Sequence, residues 1–170
     1  MSNQALSEAV ANFRAGKTEA RRSGGKLWSI FATALDVSHE CNLKVIVARL
    51  ATYLQIPGYG EALVGVNGWD KDTLAAFRSA PIVAGMSGAI DSVASFTELA
   101  EIEKLIPEHW RHAAVGDAQT CAKRWVEQFE AGADGLIIHA STPEEFAPVL
   151  AAYEKIRPSQ LFEGRTNRPG

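Results

Sequence analysis

From Leu6 the apolar residues fall at 6, 9, 10 and 13, a helical stripe that ends in the basic, glycine-rich stretch Arg21-Arg22-Ser23-Gly24-Gly25-Lys26. The run from Leu27 to Ala34 changes character. It is apolar, rich in strand formers and short of polar alternation, which predicts a strand buried on both faces. Asp36 and Ser38 then open a helix with the stripe Leu43, Ile46, Val47, Leu50, Ala51 and Leu54, broken by Pro57-Gly58-Tyr59-Gly60. Two short helices over 61–68 and 71–79 flank Gly68-Trp69-Asp70. A small glycine-rich apolar stretch covers 81–90, and 91–106 is again helical. Ala113 to Gly116 reads as a very short strand, with Asp117 as N-cap of a helix whose buried face is Cys121, Ala122, Trp125, Val126 and Phe129. Gly132 ends that helix, and Leu136-Ile137-Ile138-His139 follows as a short buried strand. Thr142-Pro143-Glu144-Glu145 is a helix start, since threonine caps, proline suits the first turn and acids complement the dipole. That helix contains Pro148 and buries Phe146, Val149, Leu150 and Tyr153. From residue 158 the chain is polar and without period, and a mobile tail is expected over 158–170.

Strand, helix, strand, helix is the βαβα rhythm, so the fold class is α/β with parallel strands and an excess of helix. The 170 residues are too few for a whole (β/α)8 barrel, which needs ~250 and rarely fewer than ~200. Two or three parallel strands expose unpaired backbone at both edges, so the chain reads as incomplete.

Composition changes this picture little. With 46% apolar and 22% charged residues, the chain is neither collagen-like, coiled-coil nor wholly disordered. Seventeen basic against twenty acidic residues leave no field that would recruit nucleic acid or an anionic membrane. The locally basic first 26 residues read as a solvated helix end. Cys41 and Cys121 stand apart, with no metal-ligand or disulfide spacing. No apolar run approaches a membrane span or a signal peptide, and a reducing cytoplasm is the expected setting.

Familiar chemical motifs are missing or incomplete. Gly16-Lys17-Thr18 mimics the end of a phosphate-binding loop, but Ala11 stands where that loop needs glycine, and the preceding segment reads as helix. His109-x-x-His112 lacks a nearby third ligand, so a helix end is the simpler reading and no metal is expected. Neither a GxSxG elbow, a GxGxxG turn nor an HExxH pair occurs.

The last third carries more. Gly132-Ala133-Asp134-Gly135-Leu136-Ile137-Ile138-His139, followed by Thr142-Pro143-Glu144-Glu145-Phe146-Ala147-Pro148, resembles the C-terminal signature of the bacterial-luciferase-like family. Its members are TIM-barrel oxidoreductases that use flavin or deazaflavin. The segments 49–54, 57–60 and 67–69 look like the insertion of a deazaflavin-type branch. Gly116-Asp117-Ala118-Gln119 departs from the Gly-Thr/Ser-Pro-Glu turn usual in the family. The resemblance runs from about residue 5 to 157 and begins after the family's fifth strand. It implies a half-barrel over 1–157, the sixth to eighth βα units, not closed within one chain. It also implies flavin mononucleotide or a deazaflavin (coenzyme F-420) as cofactor, and a monooxygenase or dehydrogenase reaction.

In such barrels function collects at the C-terminal ends of strands. Thr33, His139 and Ser141 are therefore the candidate cofactor contacts, although polar residues at strand ends also serve as helix caps. Lys26, Arg49 and Tyr53 stand behind them, and the resemblance assigns no catalytic residue. Helices are expected on one side of the sheet only. The open side should expose an apolar patch drawn from Trp28, Ile30, Ala32, Leu136 and Ile138. A separate N-terminal half-barrel or a second copy of the chain would cover that patch, and a catalytically silent subunit is the alternative to an enzyme.

Overall fold

Trp28–Leu35 (β1), Ala114–Gly116 (β2) and Gly135–His139 (β3) form a parallel sheet in the order β2-β1-β3. The computed structural model describes residues 2–35, 38–139 and 141–163. The class is α/β, with a small parallel sheet amid many helices, and the sheet does not close on itself.

The strands do not follow one another across the sheet in chain order. Successive units of a barrel would lie side by side in chain order, whereas β3 crosses to the far side of β1. Ladder length explains the choice. β3 gains five register pairs beside β1, from Trp28↔Gly135 to Ala32↔His139, while β2 is only three residues long. Asp134 locks this register from just before β3. Its Oδ2 accepts from the Leu27 N–H at 2.9 Å, and its own N–H donates to the Leu27 carbonyl at 2.8 Å.

Alternation along the paired strands decides which side chains share a face. Phe31 and Leu35 point with Leu136 and Ile138 toward Ala118–Glu130 (α9) and Pro143–Ile156 (α10). There they meet Cys121, Ala122, Trp125 and Val149. Of the five residues from which the open-side patch is drawn in sequence, Leu136 and Ile138 do not belong to it. The register Ser29↔Leu136 and Phe31↔Ile138 puts them under the helices instead, and Ile137 takes the open side. The expectation of helices on one side only is also corrected, because Val45 and Ile46 pack against Ala32 and Ala34 on the opposite face. Trp28, Ile30, Val115 and Ile137 stay open on that face, exposed by 49%, 67%, 40% and 47%.

Between β1 and β2 lies a helical region with a core of its own. His39–Asn42 (α2) is capped by Ser38; Asp36, expected to share that role, lies outside the described residues. A π-helical turn, Leu43–Val47, joins it to Ala48–Gln55 (α3). The turn shifts the stripe so that Leu43, Val47, Ala51 and Leu54 enter the insert core while Ile46 meets the sheet. Tyr59–Asn67 (α4), Lys71–Ser79 (α5), Pro81–Ala84 (α6), Ile90–Val93 (α7) and Phe96–Glu103 (α8) complete the insert. Val64, Phe77, Ile90 and Ile102 fill its centre. Arg78 staples it by donating to the carbonyls of Leu54 and Ile56, each at 2.8 Å, and by pairing with Glu61.

Asn3–Glu19 (α1) contains Gly16 to Thr18, so the phosphate-loop mimic is plain helix. A polar chain ties α1 to the sheet: Ser29 Oγ donates to Gln128 Oε1 at 2.9 Å, and Gln128 Nε2 donates to Asn3 Oδ1 at 2.7 Å. Ser159–Phe162 forms a single 3-10 turn after α10. Phe162 sits edge-on to Phe129 at 5.0 Å with Arg157 over its ring. Residues 164–170 lie outside the described residues. No helix among the described residues is long and apolar enough to cross a membrane.

Candidate functional site

Between the open face of β1 and the insert lies a cleft of about 400 Å3. Trp28, Ile30 and Ala32 line it from β1, because the residues at even positions face away from α9. The π-helical turn supplies Val45 and Ile46, and α3 supplies Arg49, Leu50 and Tyr53. Such turns occur often at functional sites, and here the extra residue lets one helix serve both a core and a cleft wall. Tyr59 and Leu63 of α4, Trp69, and the segment Trp110 to Ala113 add further wall; Leu6 and Ala9 of α1 and His139 of β3 complete it. Mostly apolar walls with a few convergent polar groups, at this volume, are the ordinary make-up of a small-molecule site.

The sequence candidates separate cleanly. His139 lies in the cleft, and so do Arg49 and Tyr53. Thr33 does not. It is fully buried on the opposite face, where its Oγ1 accepts from Trp125 Nε1 at 2.9 Å. The alternation that puts Phe31 under α9 puts Thr33 there too. Ser141 Oγ donates to the Thr33 carbonyl, so this hydroxyl tethers the end of β3 to β1 and is engaged by protein. Lys26 is exposed and is not among the cleft residues.

The residues missed from sequence come from the approach to β2, at its N-terminal end. The indoles of Trp69 and Trp110 stack at 4.6 Å and 6°, and the His112 ring stacks on Trp69 at 5.8 Å and 18°. Arg111 lies between the two stacked residues in the chain. Their signal in the sequence is the aromatic and basic run His109-Trp110-Arg111-His112, whose two histidines alone read as a helix end. Among the described residues no three His, Cys, Asp or Glu side chains gather as a metal would require.

Arg49 Nη1 pairs with Asp91 at 3.1 Å, and its guanidinium lies 5.8 Å from the centre of the Tyr53 ring. Arg111 Nη1 pairs with Glu103. Both carboxylates stand outside the lining, so among the described residues the cleft carries two arginines and no acid. Burial lowers the His112 pKa to about 4, helped by the positive charge of Arg124. Burial, then Arg49, lowers that of His139. Both imidazoles are neutral near pH 7, and each can donate one hydrogen bond and accept another.

These shifts predict a pH dependence with a definite sign. Between the ordinary histidine pKa near 6.5 and the native value of His112 near 4, the unfolded chain binds a proton that the native chain refuses. Stability is therefore fully present above that window and falls as pH falls through it. The Glu61 carboxylate, held near 2 by Arg78, withdraws its contribution only below its unfolded value of 4.5. Urea midpoints at pH 7.5 and 5.5 isolate the histidines, and the drop should be smaller in His112→Gln. An equal drop in both proteins would contradict the burial of His112.

No family model, curated protein or solved structure matches the chain.

The lining fits a planar heteroaromatic ring. Trp28, Tyr53, Tyr59 and Trp69 offer aromatic surface, while Arg49 and Arg111 offer donors to an anionic substituent.

Proposed function

We propose that the cleft holds flavin mononucleotide or a deazaflavin such as coenzyme F-420, and that the chain contributes this site to a luciferase-like monooxygenase or dehydrogenase of the reducing cytoplasm. The observation that carries the reading is the aromatic-walled cleft of about 400 Å3 between the sheet and the insert, with His139 at its edge. When bound, the group supplies the hydride chemistry. The chain's own residues shield and orient. Trp28 and Ile30 would cover ring surface, and neutral His139 would exchange hydrogen bonds with polar atoms at the ring edge. Arg49 and Arg111 would meet negative charge.

The finer fold, part of a (β/α)8 barrel, belongs to the same proposal and sets a condition. In a completed barrel β3 would lie beside β2, and the free edge of β1 would take the preceding strand. The present pairing of β3 with β1 fills that place. Strands from outside these 170 residues, in an N-terminal half-barrel chain or another copy, would have to displace it.

The test is a titration with flavin mononucleotide and with coenzyme F-420, read by tryptophan and cofactor fluorescence. Weak binding by the chain alone, strengthened by a supplied N-terminal half and weakened by His139→Ala, is the expected result. Absence of binding in every combination would reject the reading. Strand order is read separately by pairing Ile30→Cys with Ile137→Cys, which face each other in the register. The cross-link should form in the isolated chain and be suppressed once the barrel is completed.

A second reading, a catalytically silent subunit, draws on Trp28, Ile30 and Ile137 at the open side of the sheet. Self-association without any cofactor binding, measured by sedimentation, would favour it.

A further inference from the structure

We propose that Arg111 makes the cleft selective for planar aromatic acids, its guanidinium taking the carboxylate or phosphate of a ligand whose ring lies among the aromatic walls. The inference rests on the same cleft as the flavin reading but not on flavin chemistry. Three observations carry it.

Arg111 Nε is buried and has no acceptor among the described residues. A buried donor left unmade is destabilising, and such groups in native proteins call for an explanation. Second, the side chain is held in place before any ligand arrives. Its chain neighbours Trp110 and His112 both stack on Trp69, and Glu103 holds Nη1 while also lying 3.5 Å from His39 Nε2. Nε is shut off from solvent, so the donor within reach of an incoming oxygen is the second amino group, Nη2, which is neither buried nor bonded among the described residues, and guanidinium donors suit carboxylate and phosphate geometry. Third, the two cations of the cleft wall each pair with a carboxylate that stands outside the lining, so the wall itself presents guanidinium donors. Arg49 is the second cation of the lining, no acidic side chain among the described residues belongs to it, and both histidines are neutral near pH 7.

The apolar walls set the rest of the ligand. Trp69, Tyr53 and Tyr59 offer flat surfaces suited to stacking on a conjugated ring. Small aliphatic acids would leave that surface wet. A free phosphate ion would satisfy the donor alone.

The experiment uses the full chain and paired probes: 2-naphthoate against 2-naphthamide, flavin mononucleotide against riboflavin, and inorganic phosphate alone. Binding is read by tryptophan quenching and by calorimetry. The acidic member of at least one pair should bind ~10-fold or more tighter than its neutral partner, the scale of one charge-assisted hydrogen bond. Arg111→Met should erase that preference. Arg111→Lys, which keeps the charge without the guanidinium donors, should retain only part of it and guards against a variant that fails to fold. Circular dichroism checks each fold. If the naphthoate pair obeys this pattern while neither flavin binds, the flavin reading fails and this one stands. If the preference appears only with flavin mononucleotide, the acid is a phosphate; if with naphthoate too, carboxylates also serve. Equal binding of acid and neutral partner in both pairs overturns the proposal, as does a preference that survives in Arg111→Met. No binding of any probe overturns it as well, and so does binding of inorganic phosphate as tight as that of the aromatic acids.

Discussion

Replacing Trp125 by alanine is expected to lower the stability of the chain by ~3–5 kcal/mol, the usual range for deleting a buried aromatic ring. Trp125 sits at the centre of the layer between the sheet and the two C-terminal helices and is only 4% exposed. Its ring meets those of Phe146 and Tyr153, each at 6.0 Å and steeply tilted, so one side chain couples α9 to α10. Its Nε1 also satisfies the hydroxyl of Thr33. Trp125→Phe separates the two contributions. It keeps much of the apolar contact but leaves the Thr33 hydroxyl buried without its donor, which costs about 1–3 kcal/mol. Adding Thr33→Val should recover part of that loss, because removing both partners of a buried hydrogen bond is nearly neutral. Urea unfolding of the parent, Trp125→Ala, Trp125→Phe, Thr33→Val and the double variant measures both the truncation and the cycle. A loss below ~1 kcal/mol for Trp125→Ala would show that this layer is not the main core of the sheet.

The second large effect is expected at Gly132, where alanine should cost about 3 kcal/mol from two separable sources. The backbone there has φ +106°, a conformation that residues with a Cβ rarely adopt. A Cβ would also lie 2.8 Å from Val10 Cγ1, inside contact distance. Val10→Ala relieves the clash and leaves the backbone strain, so the double variant should regain only part of the loss. The contact matters for the cleft as well. Val10 anchors α1 at the start of β3, and the same helix lends Leu6 and Ala9 to the cleft wall. A weakened α1 should therefore loosen ligand binding in Gly132→Ala even at temperatures where the protein remains folded. Equal stability of Gly132→Ala and the parent, by thermal melting, would contradict both parts of the argument.

Much of the local structure was legible along the chain, and for a common reason: its determinants lie within a few residues of one another. Asp117 accepts from Thr120 N at 2.7 Å, and Thr142 forms a reciprocal box with Glu145, as the residue types alone suggest. The strands at 28–35 and 135–139, the weak strand at 114–116 and the glycine stop at 132 follow in the same way from patterns within a window of one element.

What only the tertiary structure decided involves residues far apart in sequence. Nothing in the β3 segment says which edge of the sheet it joins. That depends on the competition between a five-pair ladder with β1 and a shorter one with β2, and on Asp134 reaching back to Leu27. The same register decides that Leu136 and Ile138 are covered while Ile137 is not, because a shift of one residue exchanges the faces of a strand. Thr33 and His139 both stood at strand ends, yet one lies sealed under α9 and the other opens on the cleft. The cleft itself is made of side chains from the start of α1, β1, the π-helical turn, the insert and the approach to β2. Periodicity describes how each element buries its own stripe. It carries no information about which elements leave a gap between them, and that gap exists only once β1 has been packed from both sides.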